Sequence, residues 1–552
     1  MRKRHLVVGA VVLALVAVAC GSGATGTKTQ SSGGVKEGGV FRLGTSSGID
    51  SLNPFVAFQQ DAYAAFEYIY PTLVQYDAHL NFVGDFATSW EYSADGKTWT
   101  FHTRPNAKWS DGQPLTAADV AWNINTILKY QKGATANAAG YVSHITSAEA
   151  TDPNTLVVNY DAAVANVLSQ FQQFFVIPEH IWSQHLGHGG ADLKTFDNAA
   201  PVVSGGPFIL KSFQKGQTAL FEQNPSYYGP KPHIQGFGLQ FFTNDDAMIT
   251  ALKSGELDGV ETVPPTNVKT LQDAGFVVKS VPGVEFHDLI INSNPKKTTN
   301  VELLDPNVKK AFEYAIDRNK IVSVARLGFA QPGDSIVPPA TGIWHDPNLK
   351  PIPFDLNAAN QLLDQAGFAK GSDGIRVAHG HPMAYTVIFA HDEAGPGDRA
   401  FQIIQADFQQ IGVKLTQRAL DDSAAFDAIT APGTTGYLNF DLAMWDWVPL
   451  IDPDFILSVV TCGQYGGWSD SGYCNAQYDQ WYKEQSTLTK QSDRVALVYQ
   501  MQDQIYNDRP YIVLNYDDQI EAHTKNWTGF VYSPQGSFNP LSKATMTEIH
   551  QV

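Results

Sequence analysis

Several residue groupings in this 552-residue chain have the types and spacing to do chemistry. Gly44-Thr45-Ser46-Ser47-Gly48 has the letters of a hydrolase nucleophile elbow. An elbow must join a strand directly to a helix, however, and here Asn53-Pro54 makes a turn instead. Ser46 is therefore not expected to be a nucleophile. Asp452 and Asp454, two positions apart, would face one side of a strand like the acids of a glycosidase, but the sequence offers them no supporting base. Glu179, His180, His185 and His188 invite a metal reading, yet their spacing puts them on no single helical face, and no metal is expected. Trp445-Asp446-Trp447 places an acid between two large rings, a combination suited to holding a solute by stacking and charge. Cys462 and Cys474 flank GQYGGWSDSGY, a turn-rich loop with no further ligands nearby for a metal.

The elements around these groups read from periodicity. From Trp90 to Val120 two Asp-Gly pairs, Asp95-Gly96 and Asp111-Gly112, punctuate alternating residues. The first predicts a hairpin with Trp90 and Tyr92 on one face and Trp99, Phe101 and Thr103 alternating with Thr98, Thr100 and His102. Thr116 then reads as a helix N-cap with Asp119 three residues on, opening a helix through Trp122, Ile124 and Leu128. Further on, 155–160 reads as a strand, and 247–252 as a helix ended by glycine before a buried strand. The segments 307–317, 356–366 and 400–411 read as helices, the last two closed by Gly367 and Gly412, and 494–506 as a final helix before a strand at 511–516. Alternating helix and strand in the second half imply an α/β unit.

Composition bounds the partners. A net charge of −18 argues against a nucleic-acid partner, which would call for a basic stripe. Arg2, Lys3 and Arg4 precede a short apolar run ending in Ala17-Val18-Ala19, and Cys20 follows. This resembles a lipoprotein signal peptide (residues 1–19), with Ala17 where leucine is usual. It implies a lipid on Cys20, each buried methylene adding about 0.8 kcal/mol of membrane affinity. Residues 20–37 read as the lipidated cysteine and a Gly/Ser-rich flexible tether. An exported chain meets an oxidising compartment, so Cys462 and Cys474 are expected to form a disulfide.

The stretch WEYSADGKTWTFHTRPNAKWSDGQPLTAADV, with Gly205-Gly206-Pro207-Phe208 and Asn224-Pro225-Ser226-Tyr227-Tyr228 after it, resembles the family 5 extracellular solute-binding proteins. That is the peptide, dipeptide and nickel class that serves ABC importers. The resemblance implies an α/β, two-lobed periplasmic-binding-protein-like fold of the class with an extra domain, mixed sheets and a hinged cleft. Residues 38–80, 200–285 and 525–552 would form lobe 1, 81–199 the extra domain and 286–524 lobe 2. It implies a monomeric, non-enzymatic receptor without a cofactor, held on the outer membrane face by its lipid. Such a receptor captures an oligopeptide or dipeptide, or alternatively a sugar-like neutral solute, for a permease and its ATPase subunits. A secreted hydrolase and an adhesin are the competing classes. For the site, the resemblance points to Ser46, Ser47, Asn53 and Phe55 on one side. On the other it points to Trp445, Asp446, Trp447 and Asp452, with Tyr465 and Trp468 at the rim. The chain departs from the family at Val448-Pro449-Leu450-Ile451, where the acid that binds a peptide's amine is absent or displaced to Asp446, and this favours the neutral solute.

Overall fold

The computed structural model describes residues 35–390, 395–430, 438–533, 536–538 and 542–552. Residues 1–34, on which the expected signal peptide, Cys20 and nearly all of the expected tether fall, lie outside the described residues.

An eleven-stranded mixed sheet forms the frame. At its centre two long strands, Val277–Ile291 and Tyr511–His523, run antiparallel, and each passes from one half of the molecule to the other. Their outer residues, Val277 to Pro282 against Asp518 to His523, lie beside Gly259–Val260, which in turn pairs in parallel with Val40–Thr45. Their inner residues, Phe286 to Ile290 against Tyr511 to Tyr516, lie beside Leu442–Trp447, which joins the parallel pair Ala384–Ala390 and Lys414–Leu420. The returning strand is thus shared by both halves rather than belonging to one. Between the two registers the ladder is broken at Pro282 to Phe286.

Strand alternation explains why the second half needs two cores. Leu289 and Ile291 enter an apolar cluster with Phe312 and Phe408, whereas Phe286 and Ile290 enter one on the other face with Trp447, Met501 and Tyr516. Helices Pro306–Tyr314, Leu356–Gln365 and Pro396–Gln410 belong to the first face and Gln491–Asp508 to the second, close to the spans their patterns predict.

The extra domain is a four-stranded antiparallel sheet, Ala87–Tyr92, Thr98–Thr103, Thr155–Tyr160 and Ile145–Asp152 in spatial order, with helix Ala117–Tyr130 packed against it. Its hairpin pairs Trp90 with Phe101 and Tyr92 with Trp99, as the alternation predicts. Asp95 Oδ1 accepts from Ser93 Oγ at 2.6 Å and from Lys97 N at 3.1 Å, and Gly96 takes φ +69°, so the turn is set by the residues that announce it. The capping box is present: Thr116 N donates to Asp119 Oδ2 at 2.9 Å. This domain shares one apolar core with lobe 1, so the two form one wall.

Gly206 shows how tightly that wall is joined. Its N–H donates to Ile69 O at 2.8 Å, and an added Cβ would sit against the Tyr68 carbonyl oxygen, well inside contact distance. Gly206→Ala is expected to lower stability by about 1–3 kcal/mol in urea melts, because backbone must shift to admit the methyl group.

The turn after Leu442–Trp447 is fixed by one buried ion pair. Arg494, on the last long helix, donates from both terminal nitrogens to the two Asp452 oxygens, each at 2.6 Å, while its Nε donates to Gln485 Oε1 at 2.9 Å. Burial alone would raise the Asp452 carboxyl, but the guanidinium holds it below the ordinary carboxylate range. Its stabilisation is therefore present above the unfolded-state value of about 3.9 and lost as pH falls through the depressed folded value. Arg494→Leu should cost about 3–5 kcal/mol in chemical denaturation at neutral pH, whereas Asp452→Leu/Arg494→Leu should cost less because no charge is left buried alone.

Candidate ligand cleft

Between the halves lies a cavity of about 600 Å³, within the range of small-molecule sites. Helix Gln60–Ile69 presents Tyr63 and Glu67, one turn apart, to it from lobe 1. The extra domain supplies Tyr141, Gln170 and Phe175, among others, and the opposite half supplies the run from Val448 to Asp452, with Asp454 and Phe455. Val284 lines it from the break in the crossing strands. Direct contacts bridge the halves beside it. Ser169 Oγ donates to Asp452 Oδ2 at 3.0 Å, Ala165 N donates to Ser486 O at 2.8 Å, and Tyr76 packs with Ile451.

Asp452 lines this cavity, but its oxygens are engaged by Arg494 and Ser169. Asp454 also lines it and accepts from Gln485 Nε2 at 2.8 Å; burial, then the neighbouring Asp452 charge, raises its carboxyl. The two acids thus have unlike partners, one a guanidinium and one an amide. Ser46 and Ser47 are exposed on the loop after Val40–Thr45 and are not among the lining residues. Asn53 and Phe55, expected to meet a solute, are scaffold instead. Asn53 Nδ2 donates to Leu193 O at 2.7 Å and to Phe196 O at 2.9 Å, and Phe55 is buried edge-on to Trp182 at 5.5 Å. The Asn53 side-chain amide ties its turn to the distant segment Leu193 to Phe196 instead of facing the cavity.

The aromatic residues form a shelf next to the cavity rather than its lining. Trp468 is 47% exposed and packs 5.7 Å from Phe455, which does line the cavity, and 5.8 Å from Phe426. Trp445 lies 5.9 Å from the same Phe426. Trp447 is buried, and its indole N–H donates to Asp470 Oδ2 at 2.9 Å. Asp446 is exposed, opposite His287 in the ladder. Tyr465 accepts from Leu438 N at 2.8 Å through its hydroxyl. The disulfide between Cys462 and Cys474 is formed and closes the loop that carries Trp468.

The three histidines of the supposed metal cluster go separate ways: His180 to Asp111 at 2.7 Å, His188 to Asp192 at 2.8 Å and His185 flat against Phe196. Among the described residues, only Glu285, His287 and Asp517 gather closely enough to hold an ion. Burial would lower the His287 imidazole, but Asp517 raises it to about 9, and Arg326 sits 3.1 Å from Asp517. Glu285 and Asp517 both approach the His287 ring, and with Arg326 they form an ion-pair network at the break in the crossing strands.

Sequence reading missed Tyr63, Glu67, Tyr141, Gln170 and Phe175. Tyr63 and Glu67 carry one faint signal, polar tips one turn apart on an otherwise apolar helix; the extra-domain residues carry none.

The profile described as bacterial extracellular solute-binding proteins, family 5 Middle, matches residues 81–467. Protein XP55 of Streptomyces lividans is 26% identical over 540 residues, covering 96% of this chain and 94% of that one. The ABC transporter substrate-binding protein CtaP of Listeria monocytogenes superposes with a TM-score of 0.79 at 19% identity, over 94% of this chain and 100% of that one. The oligopeptide-binding protein AppA of Bacillus subtilis, solved with a nonapeptide, gives 0.73 at 20% identity, over 94% and 100%. Among the described residues no helix is long and apolar enough to cross a membrane. This chain belongs to family 5 of the bacterial extracellular solute-binding proteins, the extracytoplasmic receptors that present solutes to ABC importers.

Proposed function

We propose that the chain is a monomeric receptor, lipid-anchored through Cys20, that closes on a polar solute of oligopeptide size and delivers it unaltered to its permease. The observation that carries this reading is the cavity itself. It is lined by both halves, which are joined by strands whose ladder is broken beside it, and its walls carry side-chain amides, hydroxyls and rings. Amides and hydroxyls suit peptide groups because they donate and accept in turn. The nonapeptide held by the Bacillus subtilis protein supports the size.

A sugar-like solute is the second reading. The apolar run Val448 to Ile451 and the exposed Trp468 favour it, since a ring face stacks on an aromatic shelf as readily as a side chain does.

Saturating ligand should compact the protein in small-angle scattering. It should also stabilise it by about 2.7 kcal/mol at a hundredfold excess over Kd, and a deletion strain should lose uptake of that solute. Product formation without net binding would point to the hydrolase class instead. Cys20→Ala should move the exported protein from the membrane fraction to the soluble one; retention in the membrane would refute the anchor.

A further inference from the structure

We infer that the solute carries an ammonium or guanidinium group seated against Glu67 and brings no free carboxylate into the cavity. This rests on the receptor reading and adds to it a charge class.

The argument begins with what lines the cavity. Its charged side chains are all acids: Glu67, Asp452 and Asp454. A free carboxylate entering such a space would meet no cationic partner on the walls and would lose its hydration, a cost of several kcal/mol per uncompensated ion. Asp452 is neutralised by Arg494. Glu67 and Asp454, one from each half, have no Lys, Arg or His within ion-pair distance among the described residues. Lys543 comes nearest to Glu67. It lines a small annex of about 20 Å³ that Glu67 also borders, but its ammonium is bonded to Asp85. The walls therefore hold two acids without a cationic partner, one on each half.

Glu67 is placed to be the anchor. It sits on the cavity face of a rigid helix, one turn from Tyr63, whose ring could cover a cation, and Ser542 Oγ orients it by donating to Oε2 at 2.8 Å. Gln170 of the extra domain adds to the polar lining: it is 9% exposed and its Oε1 has no donor. The groups that face Glu67 are Lys543 and Ser542 from the C-terminal helix, Asp85 from the connection after Phe82–Gly84, and Tyr76 from its neighbouring strand. Burial raises the Glu67 carboxyl to about 7, against the opposing pull of Ser542 and Lys543. A cationic solute needs the ionised form. Its affinity should therefore fall up to tenfold per pH unit below about 7 and level off above it.

The test uses tetraalanine in three forms: free amine with amidated C-terminus, acetylated with free carboxylate, and blocked at both ends. Spermidine and maltotriose serve as a non-peptide amine and a neutral sugar. Calorimetry and melting shifts on the full exported chain are expected to rank the amine forms at least about tenfold tighter than the carboxylate form. Glu67→Gln should remove that preference and flatten the pH profile, and Asp454→Asn should weaken the amine forms without flattening the profile. Equal or tighter binding of the carboxylate form, or an unchanged amine affinity and pH profile in Glu67→Gln, overturns the proposal. Binding and compaction with only a neutral or anionic probe also overturns it and leaves the receptor reading standing. No binding and no compaction with any probe overturns both.

Discussion

The pairing of Val277–Ile291 with Tyr511–His523 is the constraint on which the rest depends, because it is at once the backbone of both sheet halves and the link between them. A continuous antiparallel ladder resists bending, since rotation of one half would stretch hydrogen bonds along its whole length. This ladder is interrupted at Pro282 to Phe286 and slips again between His287 and Asp288. Proline donates no ladder bond, and a Cβ at Gly283 would collide with the Asp517 carbonyl oxygen, so the break is written into two residues. What the backbone gives up there is made good by charge: Glu285, His287, Arg326 and Asp517 gather across the same few residues. The cavity reaches this point through Val284, so the wall that a solute touches is also the place where the frame can turn.

The Asp452–Arg494 pair does for the second half what Gly206 does for the first: it fixes a wall. An acid at that position reads in sequence as a ligand contact, because buried carboxylates in clefts usually await a cation. Here the cation is internal and arrives from a helix 42 residues away. The turn it holds presents Val448 to Ile451, so this wall is apolar where a peptide's amine would otherwise be met. Of the lining acids, Asp454 on this half and Glu67 on the other are left without a cation.

How far the fold and the cleft could be read from sequence follows from the range of the interactions involved. The hairpin, the capping box at Thr116 and the helix ends at Gly255, Gly367 and Gly412 are set by residues within a turn or two of each other, and all were legible. The disulfide needed only the exported context and a short loop. Asn53 and Phe55 were misread because their partners, Leu193, Phe196 and Trp182, lie well over a hundred residues on, and nothing local announces them. Tyr141, Gln170 and Phe175 were invisible for a related reason: they are brought to the cleft by the packing of the extra domain, and local pattern encodes which face is apolar rather than what that face will meet.

Closure around a solute requires that the solute favour the closed arrangement over the open one, since equal affinity for both shifts nothing. Glu67 and Asp454 both line the cavity, and burial is the main cause that raises each carboxyl. A cation seated against Glu67 would offset the cost of burying its charge, and a solute that does so only where both halves line it favours the arrangement in which they meet. A carboxylate-bearing solute would do the reverse, adding a like charge beside these acids.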